Sequence, residues 1–144
     1  MKPKIAVSAC LMGINCKYNG GNNYNQKVID LSEKYELVPI CPEQSGGLKI
    51  PRLPAEIKSD RVFLKDGTDV TEQFLKGAEI SLKTALDNNC HKAVLKARSP
   101  SCGSNGIYNG NFDKTVIMRD GITAELFKRN NITVYTEEEL KGLL

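Results

Sequence analysis

Ala93-Val94-Leu95-Lys96-Ala97-Arg98-Ser99-Pro100-Ser101-Cys102-Gly103 is a short apolar run that breaks into a loop punctuated by proline and glycine and carrying one thiol and two hydroxyls. A strand that ends in such a loop is built to hold reactive groups in place. Two other cysteines stand in the same relation to apolar runs. Ile5-Ala6-Val7 leads through Ser8 and Ala9 to Cys10, and Leu37-Val38-Pro39-Ile40 leads to Cys41-Pro42-Glu43. If the three runs are parallel neighbours in one sheet, their carboxyl ends share an edge, where open α/β sheets place their ligands. Three thiols then converge.

The segments between these runs support a parallel sheet. Tyr24, Val28, Leu31 and Tyr35 recur at steps of three and four, which predicts a helix over 24–35. Asp69-Val70-Thr71-Glu72 reads as an acidic cap before a second helix, whose stripe is Val70, Phe74, Ala78, Leu82, Ala85 and Leu86. A short helix is expected around 122–130, a last strand at Ile132-Thr133-Val134-Tyr135, and a terminal helix after the capping box Thr136-Glu137-Glu138-Glu139. Residues 41–67 show no helical period; within them Glu56-Ile57-Lys58 and Arg61-Val62-Phe63-Leu64 suit a short hairpin. So long an excursion in a compact domain, with this apolar content, is expected to be functional. Asn109-Gly110 between apolar residues predicts a second, tight hairpin that could lie over the cysteine edge. Strand-helix alternation of this kind predicts the α/β class: a single three-layer Rossmann-like domain over residues 1–144, mainly parallel, with helices on both faces.

Length and composition narrow the function. With 144 residues and 40% hydrophobic content there is enough chain for one domain with a core. Neither a signal-type apolar region nor a run of about 18 apolar residues is present, so a cytoplasmic protein is expected. Five cysteines make an odd set unlike a secreted disulfide scaffold, and thiols at loop starts in a reducing compartment suit metal binding or chemistry. A net charge of +3 without a basic tract gives no sign of a nucleic-acid polymer, while a small phosphorylated ligand is compatible with it. A cysteine phosphatase loop is excluded, because the position that would need arginine is Cys16, and no Walker-type G-K-[ST] follows.

Thiolates are soft ligands that select zinc, copper(I) or iron-sulfur clusters. Cys10, Cys41 and Cys102 lack the spacing of a zinc ribbon or ferredoxin, so only the fold brings them together; the bland alternative is three packed small side chains. Three protein ligands without a fourth would leave a metal centre open to substrate. Glu43 could relay a proton or activate water and Ser101 donate a hydrogen bond; taken singly, a solvated carboxylate and a turn hydroxyl bonded to backbone are the better readings. Cys16 reads equally as a fourth ligand, a persulfide carrier or a packed side chain. Cys90 and His91, at a helix end, stand outside the site. Arg52 and Glu56 are expected to pair with each other and fix the long loop, and Lys96 to be structural.

Ser8-Ala9-Cys10-Leu11-Met12-Gly13 with Cys16, Cys41-Pro42-Glu43, Gly46-Gly47-Leu48, Pro51-Arg52-Leu53-Pro54-Ala55-Glu56, Asp69-Val70-Thr71 and Ser99-Pro100-Ser101-Cys102-Gly103 resemble, in order and over nearly the whole chain, the thiouracil desulfidase family. The one departure is Met12, where relatives commonly have leucine. The resemblance implies a 4Fe-4S cluster on Cys10, Cys41 and Cys102, with one iron left open to the sulfur of a thiolated pyrimidine, and Glu43 and Ser101 as catalytic residues. It implies replacement of C=S by C=O with release of sulfide and no net redox change, on a base, nucleoside or nucleotide. Two other readings of the same thiols are a zinc-dependent hydrolase and a metal- or redox-sensing module without catalysis.

Overall fold

A computed structural model describes residues 2–144. In chain order the elements are β1 (Lys4–Ser8), a 3-10 turn at Ala9–Met12, α1 (Gln26–Asp30) running into a 3-10 turn at Leu31–Glu33, and β2 (Glu36–Ile40). Next come the one-turn α2 (Pro42–Ser45), the hairpin β3 (Ala55–Lys58) and β4 (Arg61–Leu64), α3 (Thr71–Asp87) and β5 (Lys92–Leu95). A second hairpin, β6 (Ile107–Tyr108) and β7 (Val116–Ile117), precedes α4 (Ile122–Arg129), β8 (Thr133–Thr136) and a 3-10 turn at Lys141–Leu143.

The four apolar runs form one parallel sheet in the order β2-β1-β5-β8. Alternation along each strand decides what covers it. Ala6, Ala93 and Leu95 face one side, against Ala85 of α3 and Ala124 and Phe127 of α4. Ile5, Val7 and Val94 face the other, against Val28, Leu31 and Tyr35 of the first helical segment and Leu140 and Leu143 near the C-terminus. The result is three layers, as the alternation of elements predicted. Pro39, with no N–H to give, sits in an edge strand where its donor is not needed. Among the described residues no helix is long and apolar enough to cross a membrane.

Register places the site. Ser8 is level with Ile40, Val7 with Val94, and Leu95 with Thr136, so the four carboxyl ends lie along one edge. The chain leaves β1 toward β2 on one side and returns as β5 on the other, which makes the β1/β5 boundary a topological switch point. The two hairpins and the first half of α3 share a smaller core of Ile57, Val62, Val70, Phe74 and Ile107 beside this edge.

Local differences from expectation have tertiary causes. The first helix is shorter than 24–35 because Asn25 caps it, its side chain accepting the Val28 N–H; Tyr24 lies outside and is 53% exposed. The terminal capping box makes only a turn. Glu137 is drawn to the Ala97 N–H and Lys96, and Glu138 to Arg98, leaving a segment too short to nucleate a helix alone. Instead of a two-residue Asn-Gly turn, residues 109–115 span the second hairpin, with Asn109 Oδ1 accepting the Asn111 N–H. The helical turn α2 was not legible, having too few residues to show a period.

Two glycines set how close α2 comes to α3. A Cβ on Gly46 would overlap the Gln73 carbonyl oxygen, and one on Gly77 would overlap that of Pro42. Backbone meets backbone, so neither side can give way cheaply. Gly77→Ala is therefore expected to lower stability by about 1–3 kcal/mol, an overpacking cost, despite alanine's better helix propensity. Urea denaturation of the two proteins measures this, and a stabilised variant would contradict the packing described.

Candidate active site

The ends of β1, β2 and β5 open into a cavity of about 520 Å³ whose lining includes Cys10, Cys16, Cys41, Cys102, Glu43, Arg52, Glu56, Lys96 and Ser101. The three cysteines expected to converge therefore do so, and Cys16 joins them. Each arrives by a different route. Cys10 follows β1 in the 3-10 turn, Cys41 stands directly after β2 at the cap of α2, and Cys102 ends the loop beyond β5. Cys16 is 3% exposed and Cys102 4%. Cys90 belongs to the core cluster around Phe127 and is absent from the cavity lining, as expected.

Burial and neighbours give the thiols different acidities. Burial pushes the Cys102 thiol up to about 12, against hydrogen bonds from Ser8 and Ser101. Burial also raises Cys10, opposed by the Asn23 side chain. Cys41 is lowered to about 7, first by a hydrogen bond from the Cys16 thiol, with the Gln44 backbone also helping. The same contact raises Cys16 in turn, so Cys41 is the more acidic thiol of the pair. Cys41 is thus the readiest thiolate of the set, at the start of a helical turn.

Glu43, two residues after Cys41, has both oxygens engaged. Its Oε1 accepts from Arg52 Nε at 3.2 Å, and its Oε2 from Ser101 Oγ at 3.1 Å. Arg52 also donates to the carbonyls of Lys49 (3.0 Å) and Cys16 (3.1 Å), so its guanidinium ties the long excursion to the Cys16 loop and to α2. The side chains are 7% and 17% exposed, which makes this a largely buried ion pair with its donors well used. Ser101 Oγ lies 3.6 Å from Cys102 Sγ and 3.0 Å from Ser99 Oγ. Ser99 shapes that loop by accepting the N–H groups of Ser101 (3.2 Å) and Cys102 (3.1 Å). Its role was within reach of the sequence, since a serine followed by Pro-Ser-Cys suits a hydroxyl-capped turn.

The expected Arg52–Glu56 pairing is corrected. Arg52 turns to Glu43, while Glu56, buried on β3, accepts the backbone N–H groups of Gly110 and Phe112. Lys96 is structural as expected, its Nζ 2.9 Å from Glu137. The sequence reading missed Lys17, Lys65, Tyr108, Phe112 and Lys114, which also line the cavity. They sit on loops and hairpins whose approach depends on tertiary packing, and no short motif marks them.

Residues 5–139 match the family described as 2-thiouracil desulfurase. The chain belongs to that family. Family membership rests on almost the full chain, in line with the spread of the desulfurase motifs from Cys10 to Gly103. An uncharacterized protein of Bacillus subtilis (strain 168), YbbK, is 39% identical over 150 residues, covering 97% of this chain and 99% of its own. The solved structure of TudS, described as a 4Fe-4S-dependent thiouracil desulfidase, superposes with a TM-score of 0.92 at 40% identity, covering 99% of this chain and 95% of that one.

The Arg52–Glu43 pair yields a prediction about stability. Arg52→Ala leaves a largely buried carboxylate with only Ser101 and is expected to cost roughly 3 kcal/mol in urea denaturation. Arg52→Lys should recover only part of this, since a single ammonium cannot serve Glu43 and two carbonyls in the same geometry. Full recovery by lysine would show that charge alone, without the planar fork, holds the loop.

Proposed function

We propose that this chain hydrolyses the C=S bond of a thiolated pyrimidine, giving the oxo-pyrimidine and sulfide without net redox change, with a 4Fe-4S cluster held by Cys10, Cys41 and Cys102. The observation that carries the reading is the Ser101–Glu43 hydrogen bond at a cavity lined by those three thiols. The family and the likeness to TudS support it.

The donor set fits the group. The candidate ligands are all soft sulfur, which suits iron-sulfur clusters and fits poorly with hard cations. A single zinc ion draws its thiolates to about 2.3 Å from one point; among the described residues no three Cys, His, Asp or Glu side chains are grouped to hold one ion. The iron and zinc content of reconstituted protein separates the two readings.

Once bound, the cluster would supply a soft electron-withdrawing acceptor for the thiocarbonyl sulfur. The protein's own groups supply the proton chemistry. Arg52 fixes one oxygen of Glu43 and the other faces Ser101, so the carboxylate is aimed while keeping lone pairs for a water molecule. Glu43 takes a proton from the attacking water as general base, and that proton leaves with the sulfide. With substrate bound, the single Ser101 hydroxyl proton turns from Glu43 to a ring nitrogen or to the developing oxygen of the substrate, and Ser99 Oγ, 3.0 Å away, backs the Ser101 oxygen. Atoms balance as C=S plus water giving C=O plus hydrogen sulfide.

Glu43→Ala and Ser101→Ala should each lower sulfide release from 2-thiouracil by roughly 10²- to 10⁴-fold while the iron content of anaerobically reconstituted protein stays unchanged. Cys102→Ser should lose both the iron and the brown thiolate-to-iron colour. Full activity in both alanine variants would remove the catalytic assignments, and a sensing module would then account better for the cluster.

The rim bears on the form of the substrate. Lys17, Lys65 and Lys114 line the cavity, and none of them has an ion-pair partner among the described residues, whereas Arg52, Lys96 and Arg98 are each paired with a glutamate. Lysines without a carboxylate partner favour a phosphorylated nucleotide over the free base. The KM of a thiouridine 5′-monophosphate is expected to lie below that of 2-thiouracil, with the gap narrowing as salt is raised. A salt-independent gap would place the discrimination elsewhere.

A further inference from the structure

The conspicuous acidic group that the chemistry above leaves unused is Glu56. It is 8% exposed, lines the cavity, and forms no ion pair among the described residues. Its Oε1 accepts two backbone N–H groups from the other hairpin, Gly110 at 3.0 Å and Phe112 at 3.1 Å. Around this anchor the 109–115 loop is tightly determined. Gly110, at φ +93°, presses so close to β3 that a Cβ would stand 2.6 Å from the Ile57 carbonyl oxygen. Lys58 Nζ donates to Asn111 Oδ1 at 3.1 Å, and Asp113 Oδ1 accepts the Thr115 N–H at 3.0 Å. Phe112 and Lys114 both have left-handed backbone, at φ +54° and +65°, which non-glycine residues adopt only when surrounding bonds hold them there. These constraints present Phe112 and Lys114 to the cavity that the four thiols line, beside Tyr108 of β6.

We propose that the 109–115 loop is the substrate-recognition wall of the cavity, with the Phe112 ring as the flat apolar face against which a pyrimidine packs, and with Glu56 as the positioning residue that hangs this wall on β3. The proposal rests on the desulfidase reading and adds to it the residues that select the ring. A half-buried aromatic beside a cavity of this size meets a planar heterocycle by stacking, which tolerates oxo, thio and ribosyl variants because each keeps its π-face. Glu56 acts through the loop and touches no reacting atom.

The test combines steady-state sulfide release from 2-thiouracil with hydrogen exchange of the intact, cluster-loaded protein. Phe112→Ala should raise KM roughly tenfold or more with kcat within about threefold of wild type, and Phe112→Tyr should restore KM. Glu56→Ala should raise KM similarly and speed exchange at the Gly110 and Phe112 amides more than tenfold, with iron content unchanged. Glu56→Gln, whose amide oxygen can accept the same two N–H groups, should lie close to wild type in both readouts. If exchange at those amides is unaltered in Glu56→Ala, the tether is wrong. If exchange rises but KM does not in either alanine variant, the loop is an ordinary hairpin turn and the wall assignment falls. Wild-type protein that releases no sulfide from any thiopyrimidine would sink the desulfidase reading and the wall's pyrimidine role with it, while the exchange data would still decide the Glu56 tether separately.

Discussion

The site depends on one carboxylate gripped from both sides. Glu43 joins three pieces of chain that share no local sequence: α2 through its own backbone, the long excursion through Arg52, and the loop beyond β5 through Ser101. Such a buried pair is a poor source of net stability, because desolvation offsets most of the attraction. Its value is geometric. With Arg52 on one oxygen and Ser101 on the other, the carboxylate has few alternative rotamers, and the Cys41 and Cys102 loops are held in register with it. The close glycine contact of α2 on α3 completes this arrangement, since a helical turn standing farther from α3 could not set Glu43 against both partners.

How much of this was legible follows from what kind of signal each part leaves. Strand ends were readable because β-branched runs are local, and a parallel register then forces their carboxyl ends together; Cys10, Cys41 and Cys102 could be grouped on that ground alone. The β3–β4 hairpin was readable for the same reason. Pairing choices were not. Arg52 and Glu56 lie four residues apart and carry opposite charges, yet Pro54 and the start of β3 send them different ways, and each finds its partner more than eight residues off in sequence. Glu137 and Glu138 likewise spelled a helix start until Ala97, Lys96 and Arg98 competed for them. Local rules fail where a distant donor offers a carboxylate more than its own backbone does.

Charge at the cavity is divided between paired and unpaired cations in a way the net value of +3 conceals. Near the strand ends Arg52, Lys96 and Arg98 are each neutralised by a glutamate and work as ties between loops. Lys65 and Lys114 have no ion-pair partner among the described residues, and Lys17 Nζ lies 5.8 Å from the centre of the Tyr18 ring. The Arg52 and Lys96 pairs are mostly buried, whereas the Arg98–Glu138 pair is exposed.

The same division separates chemistry from recognition. Thiols, Glu43 and Ser101 hang from the parallel sheet and its tightest loops, where a small displacement would disturb several buried bonds at once. Phe112 and Lys114 hang from a two-residue-per-strand hairpin that reaches the sheet edge largely through Glu56 and the small core around Ile57 and Ile107. A change in the loop therefore alters what the cavity admits without reaching the groups that would hold a cluster. Matching thiols in two relatives consequently imply the same chemistry more strongly than the same substrate, and the residues at 108, 112 and 114 are where substrate differences between them should be sought.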